Sequence, residues 1–200
     1  MWIDFARWDT TALAAAWRAA RPFPYVVIDD LVPEPRLQEL REAVAREPHG
    51  ANITDLYEMM ASGPTVTHPT LKDFQAALGA PDALAALSTV SGKTLGRVEL
   101  RSYVYLAGSF LLPHSDCRDE MGRLIAFAYY LLPRESSVGG ELEMFAVDMD
   151  GGEVVRTEAA GTIEPRGNRI VFFEVSPSSI HQVREVTQGG RVSLAGWFYA

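Results

Sequence analysis

Arg97-Val-Glu-Leu-Arg-Ser-Tyr-Val-Tyr-Leu106 decides how this chain is read. It is rich in Val, Leu and Tyr, the composition of a β-strand. Four further stretches of the same kind follow at 124–132, 141–147, 169–173 and 191–199. Gly, Pro, Asp and Ser separate them, and no helical pattern intervenes. Consecutive strands without crossover helices predict an antiparallel sandwich or barrel, not a parallel β-α-β sheet. Upstream of about Gly96 the pattern changes. Residues 10–20 place Leu13, Trp17 and Ala20 on one helical face, and the prolines of Arg21-Pro22-Phe23-Pro24 stop that helix. A short strand is expected at 25–28. A second helix is expected at 35–46 on the stripe Leu37, Leu40 and Val44, and two shorter ones at 71–78 and 83–87. Residues 51–70 show little periodicity and read as a long irregular segment and a candidate lid. The expected architecture is mostly β with flanking helices, the helices packed on one sheet of a double-sheet core. It forms one domain over 1–200, with 1–96 as helical support, entry strand and lid, and 97–200 as the core that carries the site.

Composition narrows the function classes. Of 200 residues, 48% are apolar and 22% charged, which is the balance of a folded globular chain. Eighteen Lys and Arg stand against 26 Asp and Glu, a net charge of −8. The basic residues are scattered, which argues against nucleic acid or an acidic membrane as partner. No apolar run approaches the roughly 18–20 residues of a membrane-spanning helix. The first ten residues carry Asp4, Arg7 and Asp9 and lack the pattern of a secretory signal, so a cytoplasmic location is expected. Cys117 is the only cysteine and can form no internal disulfide.

Most catalytic patterns fail on inspection. Ser91-Gly92-Lys93-Thr94 resembles the tail of a phosphate-binding loop, but the glycine that motif needs is Leu87. There is no Gly-x-Ser-x-Gly elbow, and Cys117 sits beside Asp116 and near Asp119, which disfavours a thiolate. No Cys-x-x-Cys or His-Glu-x-x-His zinc pattern is present. What remains is His114-Ser115-Asp116. Alone it reads equally well as a polar turn after Pro113. It follows an apolar strand, however, where alternate residues face one way, so His114 and Asp116 can point at one centre. His181 is the one histidine of the later β region, and Arg191 follows ten residues on. Two imidazoles and a carboxylate make a ligand face for iron(II) that leaves positions open for a bidentate 2-oxo acid and O₂. A dicarboxylic co-substrate would need a planar cation for its far end, which Arg191 supplies. A zinc hydrolase with the same ligands would have no use for Arg191. His49 and His68 lack ligand-spaced partners and are expected at the surface.

These residues resemble the iron(II)/2-oxoglutarate-dependent dioxygenases, in the prolyl 4-hydroxylase-like branch. The likeness covers 98–199. It includes the strand Arg123-Leu-Ile-Ala-Phe-Ala-Tyr-Tyr-Leu131, the opening Gly139-Gly140-Glu141-Leu142, the turn and strand Ile163-Glu-Pro-Arg-Gly-Asn-Arg-Ile-Val-Phe-Phe173, and Arg191-Val-Ser-Leu-Ala-Gly-Trp-Phe198. Pro22-Phe-Pro-Tyr-Val-Val-Ile-Asp-Asp30 resembles an entry strand common in bacterial relatives. The resemblance implies a double-stranded β-helix, or jelly roll. It implies iron held by His114, Asp116 and His181, and the distal carboxylate of 2-oxoglutarate held by Arg191 and Tyr130. Tyr105 would line the same pocket, and Ser193, two residues beyond Arg191, would add a hydroxyl. Strand packing alone would also account for both tyrosines. The cofactors implied are Fe(II), 2-oxoglutarate and O₂, with ascorbate as an optional reductant. The reaction implied is hydroxylation of an unactivated C–H bond, best matched to a prolyl residue of a peptide or protein. The ligand Asp116 argues against halogenation. Two other readings stay open: a hydroxylase of a free amino acid or other small metabolite, and a catalytically silent β-sandwich that binds a partner. A metal-dependent hydrolase or isomerase on the same jelly roll is a third. The acidic stretch 111–121 and the segment 147–161 are expected to be rim loops that set substrate choice.

Overall fold

In a computed structural model, the structure describes residues 2–200, apart from the side chain of Asp119. Four helices form one layer. Helix α1 (Thr10–Ala19) opens where Asp9 accepts a hydrogen bond from the Ala12 N–H at 2.9 Å. Strand β1 (Tyr25–Ile28) follows the proline pair, and α2 (Glu34–Arg46) begins after Pro33. Helices α3 (Pro69–Leu78) and α4 (Pro81–Ser91) each start on a proline, and α4 ends on Gly92 with φ +73°. Ser91-Gly92-Lys93-Thr94 is therefore a helix end and not a phosphate loop.

Between α2 and α3 the structure corrects the expectation of an irregular segment. Strands β2 (His49–Thr54) and β3 (Tyr57–Ser62) form a regular hairpin, and β3 joins the main sheet. Four of the six β2 residues are exposed, so no apolar alternation marks it in sequence. The other strands are β4 (Arg97–Leu106), β5 (Phe110–His114), β6 (Arg123–Tyr130), β7 (Ser137–Gly139), β8 (Leu142–Asp150), β9 (Glu153–Ile163), β10 (Arg169–Glu174), β11 (His181–Val183) and β12 (Val186–Tyr199). Residues 147–161 are likewise no loop. They lie in a β8–β9 hairpin that turns at Gly151-Gly152 and is held by backbone pairing, with side chains mostly in water.

The strand order is β1-β10-β6-β12-β4-β3-β5-β11-β8-β9, antiparallel throughout, with β2 paired to β3 and β7 to β12. This ribbon folds over on itself, so that His181 on β11 meets Phe173 on β10 with ring centroids 4.7 Å apart. The result is the expected jelly roll. Strand β12 shows how its two faces divide. Leu194 and Phe198 point outward and pack with Leu40, Leu71, Phe74, Phe127 and Phe172 under the helices. Arg191, Ser193 and Trp197, at the alternate positions, line the inner cavity. The outer face is thus a conventional apolar core, each large side chain contributing about 1.5–3 kcal/mol. It holds the inner face rigid. Among the described residues no helix is long and apolar enough to cross a membrane.

Asn168 locks the helical layer to the sheet. It is buried at φ +64° in the turn before β10. Its Oδ1 accepts from the Val32 N–H at 3.1 Å and the Tyr129 hydroxyl at 2.8 Å, and its Nδ2 donates to the Val32 carbonyl at 2.8 Å. Asn168→Ala strands those buried partners. We expect a loss of about 2–3 kcal/mol in urea unfolding. A variant within about 0.5 kcal/mol of wild type would show that the lock is not needed.

Candidate active site

The site grows from two strand ends that face each other. On β5 and β11, His114 and His181 are directly opposed in register. Their rings lie 4.4 Å apart. Each ring is set by its own backbone: His114 Nδ1 lies 2.9 Å from the Leu112 carbonyl, and His181 Nδ1 lies 3.0 Å from the Ser179 carbonyl. A carbonyl can only accept, so both Nδ1 atoms carry the proton and both Nε2 atoms present lone pairs. Those lone pairs face Asp116. His114 Nε2 is 3.8 Å from Oδ1 and His181 Nε2 is 3.7 Å from Oδ2. Burial, with the His114 ring beside it, lowers the His181 pKa to about 4, which keeps the imidazole neutral. The segment that carries Asp116 is pinned by Ser115, whose Oγ donates to the Ser176 carbonyl at 2.8 Å and accepts from the Cys117 N–H at 3.0 Å. One ligand atom from each of His114, Asp116 and His181 falls within 4.8 Å of the others, so the three could hold a metal ion.

Deeper in the barrel, neighbouring strands assemble a second group. Strand β12 lies between β4 and β6. Its register pairs Arg191 with Tyr105, and Ser193 with both Tyr103 and Tyr130. Arg191 lies six residues into β12, not at its start as the sequence suggested. It is 4% exposed, and its guanidinium sits 4.6 Å from the Tyr105 ring centroid and 5.0 Å from that of Tyr130. Its stem passes Gly140, where a Cβ would come within 3.0 Å of Arg191 Cδ. Gly140 therefore leaves the room that Arg191 needs.

Among the described residues no carboxylate pairs with Arg191. Its Nε and Nη1, the Tyr130 hydroxyl and the Ser193 Oγ are all buried and without a partner. Buried polar groups are rarely left so, and a buried lone cation costs several kcal/mol. Burial raises the Tyr105 pKa to about 12 and pushes Tyr130 upward, so both hydroxyls stay protonated. Three kinds of donor converge with no acceptor of their own. The donor set has the chemistry to accept a carboxylate. Tyr105 contributes its ring to the Arg191 stack. The cavity between these donors and the histidines holds about 100 Å³, the scale of a small organic acid and not of a bulky cofactor.

Other expectations are corrected here. His49 and His68 are half-buried and bonded, His49 Nε2 to Ser102 Oγ at 2.8 Å and His68 Nδ1 to the Thr70 N–H at 3.3 Å. They are structural, not surface residues. The candidate lid contributes Met59, buried against Tyr105 on the cavity wall. Of the acidic stretch 111–121, the first four residues belong to β5, and the Asp119 side chain lies outside the described residues. Trp197 and Tyr103 also line the cavity. The period-two step from Arg191 through Ser193 to Trp197 was the signal that could have found Trp197.

Residues 100–199 match the model of the family described as the 2OG-Fe(II) oxygenase superfamily. A prolyl 3-hydroxylase of Xenopus laevis, OGFOD1, is 32% identical over 194 residues. The match covers 89% of this chain and 35% of that protein, so the chain spans about a third of the relative's length. Among solved structures, a prolyl-4-hydroxylase from Pseudomonas putida superimposes with a TM-score of 0.70 at 21% identity, covering 94% of this chain and 98% of that one. A prolyl hydroxylase from Trichoplax adhaerens, in complex with a hypoxia inducible factor peptide fragment, gives 0.65 at 14% identity, covering 95% and 88%. These structural likenesses establish the fold.

Arg191→Met separates stability from binding. It removes an unpaired buried charge and keeps an apolar stem of similar length. We expect the apo protein to gain about 1–4 kcal/mol and to lose dicarboxylate binding. A destabilised variant would mean that the guanidinium is satisfied in the folded protein and has a structural role.

Proposed function

This chain belongs to the 2OG-Fe(II) oxygenase superfamily, and on that premise we propose that it is a dioxygenase that hydroxylates a prolyl residue of a peptide or protein. The observation that carries the proposal is one cavity with two unlike ends. At one end stand His114, Asp116 and His181 with their ligand atoms clustered. At the other stand Arg191 and Ser193 with unpartnered buried donors, backed by Tyr130, whose hydroxyl is likewise unpartnered. A β-sandwich that only bound a partner would have no reason to retain either end, and a metal hydrolase would not need the second. Iron(II), with 2-oxoglutarate and O₂, supplies the oxidising chemistry that hydroxylates an unactivated C–H bond.

The chain's own residues do the rest. His114, Asp116 and His181 would hold the iron and leave coordination positions free for co-substrate and O₂. Arg191 provides a two-pronged cationic donor for the distal carboxylate of 2-oxoglutarate, and the Tyr130 hydroxyl and Ser193 Oγ add neutral donors. Tyr105 closes the far side of the guanidinium and keeps water away from it. Met59 and Tyr103 wall the cavity toward the β2–β3 hairpin.

The prolyl substrate is supported by the sequence relative, a prolyl 3-hydroxylase at 32% identity. The same relative supports C3 of the ring as the position hydroxylated. The structural neighbour that acts at C4 is like this chain in fold alone.

The test is turnover with a panel of proline-containing peptides and with free proline, read as succinate release and product mass. We expect succinate coupled to gain of one oxygen atom on a peptidyl proline, no turnover in Asp116→Ala, and a co-substrate KM raised by about a hundredfold or more in Arg191→Ala. Coupled oxidation of free proline and not of any peptide would overturn the peptide substrate. Wild-type turnover in Asp116→Ala would overturn the ligand assignment.

A further inference from the structure

Asp116 has few neighbours for a residue on which a metal would depend. It sits between β5 and β6 on a segment without regular structure. Among the described residues its carboxylate meets only His114, His181 and Arg123. The two histidines contact it from the side where a metal would lie. Arg123, the first residue of β6, also reaches it. Its Nη1 is 3.7 Å from Asp116 Oδ1 and 3.5 Å from the Asp116 backbone carbonyl.

The Arg123 side chain is only 13% exposed. Its guanidinium lies over the Trp197 ring, 3.5 Å from the centroid. Its Nε is buried and has no partner. The nearest competing acid on β4, Glu99, is already engaged. Arg97 meets one of its oxygens at 2.6 Å and the Tyr199 hydroxyl the other at 2.5 Å. Asp116 is the carboxylate left within ion-pair range of Arg123 among the described residues.

We propose that Arg123, clamped on Trp197, is a positioning residue that holds Oδ1 of Asp116 and so turns Oδ2 toward the metal position. The inference rests on the reading of His114, Asp116 and His181 as a metal centre. The two histidines are oriented by backbone carbonyls, whereas among the described residues Arg123 is the one Arg or Lys within ion-pair range of the Asp116 carboxylate. Outer partners of this kind typically change metal affinity by about 10–100-fold when removed. Trp197 acts at one further remove, because without its ring the guanidinium loses the surface that keeps it flat against the cavity wall.

The test is calorimetric titration of Mn(II), a redox-inert divalent probe, into the apo forms of wild type, Arg123→Gln, Arg123→Lys and Trp197→Leu, with thermal melting of each. We expect Arg123→Gln to bind Mn(II) about tenfold or more weakly while its apo melting stays close to wild type. Arg123→Lys keeps a cation beside Asp116 but loses the planar stack on Trp197, so it should bind Mn(II) more tightly than Gln and more weakly than wild type, a partial rescue that a merely structural role would not give. Trp197→Leu should weaken binding in the same direction as Gln, and it decides the matter if Arg123→Gln does not fold. Wild-type affinity in Arg123→Gln, or a Lys variant as weak as Gln, would overturn the positioning role and leave the metal centre standing. A wild-type protein that binds no Mn(II) would overturn the metal centre and the positioning role together.

Discussion

A guanidinium buried without a counter-ion is among the most costly things a fold can carry, and Arg191 carries one at the bottom of the barrel. The helices, the sheet register and the placement of small residues all accommodate it. The apolar core that unites α2 and α3 with the outer face of β6, β10 and β12 makes the strands rigid enough to keep the charge in place. Gly140 leaves space for its stem, and Tyr105 and Tyr130 receive the cation on their rings. The arrangement becomes favourable when an anion of the right length arrives. On the proposed reading the cation serves binding, at a cost to the stability of the protein alone.

The metal end obeys the opposite rule. There the two histidine Nδ1 atoms are satisfied in advance by backbone carbonyls, and Ser115 by Ser176 and Cys117. Pre-setting the tautomers directs two lone pairs to one point, and a lowered His181 pKa keeps one of them unprotonated. One end of the cavity is thus prepared by completed hydrogen bonds and the other by hydrogen bonds left open. A bidentate acid with a second carboxylate at its far end answers both, and that shape is the one the superfamily uses.

The sequence revealed much of this because period-two patterning survives wherever one face of a strand is buried. Strand β4 is recognised to the residue at 97–106, and Arg191 and Ser193 fall on one face because they are two apart. Two of the strands that escaped have no buried face to mark them. In β2 and β9 most side chains are in water, and backbone pairing alone holds them in place. His49 and His68 escaped for a related reason, since their partners Ser102 and Thr70 are hydrogen-bond neighbours that no apolar pattern announces. Arg123 stood in plain view at the head of a strand, but its value lies in what it touches, Asp116 and Trp197. Those contacts exist only once β6 and β12 are paired.

The central claim is that one cavity holds a metal between His114, Asp116 and His181 and a 2-oxo dicarboxylate between that metal and Arg191. Anaerobic titration of the apo protein with iron(II) and then 2-oxoglutarate tests both at once. The readout is the weak visible charge-transfer band given by a 2-oxo acid chelated to iron(II). The account predicts a saturable band with one equivalent of each. Iron bound at one equivalent with no band at any concentration of 2-oxoglutarate would contradict it.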